Sequence, residues 1–364
     1  MQISRQAQVL GSLLEKAPDF LVDMGVLESS LLKKTLEKIP VTSPIFICGL
    51  ARSGSTLLLE LLDQHPATAS FRYYDYPFVH CPVFWRQLSH LIFKLDAEPV
   101  ERAHKDKLMV SPLSPEAFEE ILWMHFYKDI HREDVSHVII DVREEFRNFY
   151  VNTIKKVLHA EKATRYLSKE NYNICRISGL KKIFPDAKFI VPIRHPVTHV
   201  GSLLKQQALF LKSETENRAI LQYMQRVGHF EFGLDRRAIN TGDPHQSRDI
   251  NALFNQGHDV LAYASQWNVI YDYAQQQFAN DASVRFVKYD ELCHQPITML
   301  KELFDWLDLP IDEMQLQDLA KSVVNPDYYQ PSFSEKDIHV IASCTQKTAS
   351  SFGYTDAHEK ITMA

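Results

Sequence analysis

From Pro44 to Leu62 the chain reads Pro-Ile-Phe-Ile-Cys-Gly-Leu-Ala-Arg-Ser-Gly-Ser-Thr-Leu-Leu-Leu-Glu-Leu-Leu, and this stretch limits what the rest can fold into more than any other. A short apolar run ending at a glycine reads as a buried strand, and the leucines that follow read as one face of a helix. The two glycines between them let the backbone curl so that successive N–H groups face a single anion, while the helix contributes its positive end. Set against the nucleotide-loop pattern, Gly49, four residues, Gly54, Ser55 and Thr56 are in register, but the lysine before the hydroxyl residues is missing. The cation lies inside the loop instead, as Arg52. A kinase needs that lysine on the transferred phosphoryl group and a carboxylate-held Mg²⁺. A loop that holds a terminal 5′-phosphate without metal can work with an arginine and hydroxyls.

The remainder of the chain repeats the same unit. Ala163–Ser168 reads as a strand, followed by Lys169, Glu170 and Asn171 and then a helix through Leu180 and Phe184. Ala187–Ile193 is a second buried strand that delivers Arg194 at its carboxyl end; Pro196 opens the next helix, and Ser202 stands on it. Ser283–Val287 is another strand, with a helix from Pro296 to Leu307. Such alternation builds a parallel sheet, and ligands of open parallel sheets gather at the carboxyl ends of the strands. Arg194 is therefore expected on the same rim as the Gly49–Thr56 loop. Further helices are expected over Leu27–Lys38, from Ser114 as N-cap with Pro115 at the first helical position to about Lys128, over 149–160 and over 258–278; His137–Val142 reads as a short β-rich run.

The stretch GLARSGSTLLLELLDQHP resembles the 5′-phosphosulfate-binding loop of sulfotransferases that use 3′-phosphoadenosine 5′-phosphosulfate (PAPS). It is nearer to the RSG[ST]T type of carbohydrate, protein-tyrosine and many bacterial sulfotransferases than to the cytosolic steroid and phenol type. The spacing of Arg194 and Ser202 is similar to the pair that clamps the 3′-phosphate in that family, and VKYDELCHQPITMLKELFDWLDLP looks like its late strand–helix segment. The resemblance implies an α/β, P-loop-like three-layer fold with a central parallel sheet flanked by helices. It also implies PAPS as co-substrate, 3′,5′-adenosine bisphosphate (PAP) as product, no metal, and binding by Arg52, Ser53, Gly54, Ser55, Thr56, Arg194 and Ser202. Lys169 is placed to reach the bridging oxygen or the sulfonate. The general base departs from the family pattern: where tyrosine-type relatives carry a glutamate in a GEE stretch, this chain has Phe71-Arg-Tyr-Tyr-Asp75-Tyr-Pro, which makes Asp75 the first candidate and His104 the second. A small-molecule kinase of P-loop type and a catalytically inactive nucleotide-binding protein remain open.

Composition narrows the setting. A net charge of −6 argues against a nucleic-acid partner. The five scattered cysteines lack paired spacing and point to free thiols in a reducing compartment. Neither a signal-like start nor a run of about eighteen apolar residues is present, so a cytoplasmic enzyme without a membrane span is expected. Residues 1–40 read as a helical cap, 41–310 as the α/β domain with a helical insertion at about 207–258, and 311–364 as a tail packed on the domain. The aromatic and proline-rich segment from Thr68 to Pro115 is a candidate wall for a small-molecule, lipid or glycan acceptor.

Overall fold

The strand that enters the glycine loop, β1 (Ile45–Ile47), is buried along its whole length. In this computed structural model, which describes residues 5–14, 17–89, 98–101, 108–323 and 332–354, β1 is the middle strand of the main sheet. Around it lie β2 (Thr68–Ala69), β5 (Arg165–Lys169), β6 (Lys188–Ile193) and β7 (Val284–Lys288), in the order β2-β5-β1-β6-β7 and parallel throughout. A separate antiparallel pair, β3 (Val100–Glu101) and β4 (Met109–Val110), stands apart from this sheet. After β1 the chain builds β2 and β5 on one side, then crosses to lay down β6 and β7 on the other. The direction of winding therefore reverses at β1, which opens a crevice beyond its carboxyl end.

Three layers follow from the pleat. Ile45, Ile47, Leu167, Ile190 and Val287 face one layer, where they meet leucines of the 55–63 helix and Leu300, Leu303 and Phe304 of the 296–306 helix. Phe46, Cys48, Tyr166, Phe189 and Val191 face the other, larger layer, which includes the helices Glu144–Glu161 and Asp259–Phe278. Strands covered on both faces need no polar alternate, which is why they read as unbroken apolar runs.

The expected elements form with a few shifts. The helix foreseen from Ser114 begins at Glu119 and ends at Phe126, because the backbone of 114–116 is taken by residues 71–73: Tyr73 N–H donates to Ser114, Glu116 N–H donates to Phe71, and Arg72 bridges Pro115. His137–Val142 forms no strand; His137 and Ile139 donate their N–H groups to Asn240 and Cys175. The N-terminal pattern divides into Pro18–Leu31 and Lys33–Leu36. Beyond β6, one long helix runs from Pro196 to Glu216, followed by Arg218–Val227 and Pro244–Asn255. The C-terminal helices Glu313–Ser322 and Glu335–Ser351 return the chain to the rim.

Candidate active site

Three residues of the loop adopt the left-handed region: Gly49 at φ 140°, Arg52 at φ 70° and Gly54 at φ 102°. Gly54 also caps the Ser55–Asp63 helix without any side-chain acceptor. The N–H groups of the first turn have no intrahelical partner, so they stand open to an anion. Gly54 is required twice over, by its φ and by space: a Cβ there would collide with the Tyr289 ring at the end of β7. Ser53 is fully buried beside the Tyr271 phenol, and its Oγ makes no hydrogen bond of good geometry among the described residues.

Arg194 leaves the carboxyl end of β6 and lies over the Tyr289 ring at 5.2 Å, donating from Nε to Thr198 Oγ1 at 3.2 Å. Its carbonyl accepts the Trp267 indole N–H at 3.2 Å. One turn further along, His199 donates from Nε2 to the Ala51 carbonyl at 2.8 Å, bracing the loop from the side. Burial, with Arg194 and Arg52 close by, lowers this imidazole to about 3, so it stays neutral. Ser202 accepts from Arg52 Nε at 3.3 Å. Arg52, Ser53, Gly54, Ser55, Arg194 and Ser202 thus share one corner of the rim, with Thr56 in the first turn behind them. Tyr354 closes that corner from the C-terminal side: its hydroxyl donates to Asp290 Oδ2 at 3.2 Å, and its ring stands edge-on to His195.

On the opposite flank of β1, Lys169 is the last residue of β5, paired in register with Ile47, and it is buried. Glu170 N–H donates to Ile47 at 2.9 Å. Burial and nearby Glu120 push the Glu170 carboxyl up to about 8, against the pull of Lys169 and His229. Next along, Asn171 Nδ2 donates to Glu231 Oε1 at 2.5 Å, and Glu231 Oε2 lies 3.5 Å from His229 Nδ1. Burial alone would raise Glu231, yet His229, Asn171 and Lys169 hold it at about 2. Burial likewise opposes the His229 charge, and Glu231 overrides it, so this imidazole titrates above its usual value.

The first of the expected bases, Asp75, lies elsewhere. Asp75 is fully buried, and both its oxygens are held by Arg86, through Nε at 2.8 Å and Nη2 at 2.6 Å, while Arg72 N–H donates to Oδ2 at 2.7 Å. Arg86 also pairs with Glu161, and Arg72 with Asp63. Glu161 and Asp63 end helices that run away from the loop, so this cluster belongs to the opposite edge of the sheet and Asp75 is a structural carboxylate. His104 lies outside the described residues. Sequence reasoning did not single out the cluster of His229, Glu231 and Glu170; the available signal was the Gly228-His-Phe-Glu-Phe-Gly233 stretch, two polar groups between two glycines inside the insertion.

A family model described as the sulfotransferase family matches residues 44–313. The crystal structure of sulfotransferase STF1 from Mycobacterium tuberculosis H37Rv is similar to this chain with a TM-score of 0.51 at 14% identity, covering 92% of this chain and 87% of that one. Sulfotransferase STF9 from Mycobacterium avium is similar with a TM-score of 0.50 at 13% identity, covering 89% and 81%. At such identities the likeness is one of fold. No curated protein matches the chain.

Proposed function

The chain belongs to the sulfotransferase family, and from that premise we propose that it moves the sulfuryl group of PAPS to a hydroxyl or amine acceptor by in-line displacement. The observation that carries this reading is the pair of anion sites on one rim. An uncapped glycine loop with Arg52 stands at the end of β1, and Arg194 with Ser202 stands beside it at the end of β6. A nucleotide with separate 5′ and 3′ phosphates needs two such sites. The residues fit it: the orphaned Ser53 hydroxyl and the open N–H groups of the 55–63 helix supply donors, and the two arginines supply charge.

In the transfer, the bond from sulfur to the bridging oxygen breaks as the acceptor oxygen attacks from the far side. The bridging oxygen leaves with the 5′-phosphate. The loop N–H groups and Arg52 stabilise the charge that develops there, and Lys169, from the neighbouring strand end, faces the bridging oxygen or the sulfonate. Because Glu170 beside it holds a proton near neutral pH, the Lys169 charge is left for the donor. The acceptor is a small molecule, lipid or glycan. All five cysteines are free thiols, which supports a cytoplasmic setting. Among the described residues no helix is long and apolar enough to cross a membrane.

Thermal unfolding with PAP, and in parallel with ATP plus Mg²⁺, tests the donor. A ligand at about a hundred times its Kd adds roughly 2.7 kcal/mol of apparent stability, a shift of a few degrees. The expected result is a shift with PAP that Arg194→Ala removes. A shift with ATP and Mg²⁺ alone would overturn the reading in favour of a kinase.

A further inference from the structure

The segment that carries His229 is built with more care than a surface loop requires. Gly228 ends the 218–227 helix in the left-handed region, at φ 79°, and a Cβ there would strike the Glu120 side chain. His229 N–H donates back to Met224 at 2.9 Å. Phe230 N–H donates to the Tyr172 hydroxyl at 3.3 Å. Gly233 is held at both ends by the Gln207 amide, N–H to Oε1 at 2.8 Å and carbonyl from Nε2 at 3.1 Å, while the buried Glu214 accepts Leu234 N–H at 2.6 Å. These anchors fix His229 and Glu231 against the end of β5, two residues from Lys169. Glu231 is itself oriented, through Asn171.

We propose that His229, oriented by Glu231, is the catalytic residue that takes the proton of the acceptor as the sulfuryl group is transferred. The inference rests on the sulfuryl-transfer reading above and assigns the group which that reading leaves unnamed. In the neutral ring the proton sits on Nδ1, facing Glu231, and the Nε2 lone pair makes no hydrogen bond among the described residues. The ring is about a quarter exposed, so an acceptor can reach it. In the step, the acceptor O–H bond breaks, its proton passes to Nε2, and its electron pair forms the new bond to sulfur as the bridging oxygen departs with the 5′-phosphate. Reactants and products balance as R–OH, PAPS and imidazole giving R–OSO₃⁻, PAP and imidazolium. Glu231 stabilises the imidazolium, as an orienting carboxylate does in other histidine dyads. The titratable groups facing His229 are Glu231 on its own loop, Lys169 and Glu170 at the end of β5, and Glu116 ahead of the 119–126 helix.

The test uses radiolabelled PAPS with water as acceptor, so it needs no knowledge of the natural one, together with PAP binding by calorimetry. His229→Gln is expected to bind PAP as the wild type does and to release sulfate about a hundredfold more slowly. Added imidazole should restore part of the rate in His229→Ala. The wild-type rate should fall on the acid side of a pKa above the usual histidine value, and that limb should move to lower pH in Glu231→Gln. Histidine NMR of the PAP complex checks the same titration without turnover. Equal sulfate release by wild type and His229→Gln, both with PAP bound, would overturn the proposal. So would an acid limb that Glu231→Gln leaves in place. Failure of the wild type to bind PAP overturns the donor reading instead.

Discussion

At the scale of single residues, the arginines and the carboxylates of this chain make opposite predictions. Arg52, hydrogen-bonded to Ser202, and Arg194, over the Tyr289 ring, carry the charge of the proposed nucleotide rim. Removing either is expected to weaken PAP binding by about 1.5–3 kcal/mol, the scale of a hydrogen bond to a charged group, with little change in Tm; calorimetric titration of Arg52→Ala and Arg194→Ala reads it directly, and unchanged affinity in both would remove the site. Asp75 is predicted to behave the other way. Asp75→Asn removes one of the two carboxylates that pair with the buried Arg86, leaving Glu161 as the other, which costs about 1.5–3 kcal/mol of folding stability and leaves PAP affinity in the folded fraction unaltered. A urea titration combined with PAP binding separates the two. These contrasts mark what was legible at this scale. The loop residues could be read because their chemistry is local: glycine at left-handed positions, hydroxyls at a helix start and a cation within the turn are fixed by adjacent sequence. The base could not, because a carboxylate's role depends on its neighbours. Asp75 is chosen by Arg86, eleven residues on, whereas His229 is brought to Lys169 by an insertion that no local pattern ties to the strand end.

At the scale of elements, the 196–216 helix joins the two halves of the site. Its first turns hold Arg194 and the glycine loop through Thr198, His199 and Ser202, and its later turns hold the His229 loop through Gln207 and Glu214. The sequence announced the beginning of this helix through Pro196 but not its length, since the residues from about 207 onward read as the start of a separate helical insertion. In the fold, two of their polar side chains, Gln207 and Glu214, turn inward to hold the 228–235 backbone. The strands were legible for the reason given by the sheet: covered on both faces, each is a plain apolar run. The elements that were misplaced, at Ser114 and His137, are those whose backbone groups pair with distant chain. Gln207→Ala tests the coupling role of the helix. It leaves the Gly233 N–H and carbonyl without their partner, a loss of about 1–3 kcal/mol confined to the loop. Hydrogen exchange over 228–235 should quicken and sulfate release from PAPS should fall, while PAP affinity stays within about twofold. An equal loss of nucleotide affinity would mean that the helix end supports the whole rim rather than the loop.

At the scale of the molecule, the buried titratable groups set a pH window for stability. Burial lowers four imidazoles: His80 well below its ordinary value, His125 to about 4, and His137 and His199 to about 3. A histidine whose folded pKa is depressed binds more protons unfolded than folded, so its contribution is complete above the unfolded value near 6.5 and is lost as pH falls. Each such group removes up to about 1.4 kcal/mol per pH unit below that point. Four together, between pH 6.5 and 5, approach the whole net stability of about 5–15 kcal/mol that folded proteins hold. Glu170 acts in the reverse sense. Its folded pKa, raised to about 8 by burial and Glu120, means that its contribution is complete below the unfolded carboxylate value and is lost as pH rises through 8. His229, raised by Glu231, adds to that fall above 6.5. The four imidazoles are therefore expected to raise stability from pH 5 to about 6.5, opposed by the buried carboxylates Glu28, Asp63, Glu119, Glu170 and Glu214, whose raised folded values make their contributions fall over the same interval; above about 6.5 the decline towards pH 8 is unopposed by the imidazoles. Urea unfolding at each pH measures the curve, and Glu170→Gln should flatten its alkaline side and steepen its acid side, because the Glu170 contribution already falls from the unfolded carboxylate value of 4.5 upward. Histidine NMR of the folded protein reads the imidazoles one by one: protonation of His199 above pH 5 would show that burial does not hold it neutral, and would remove the neutral ring that braces the loop at Ala51.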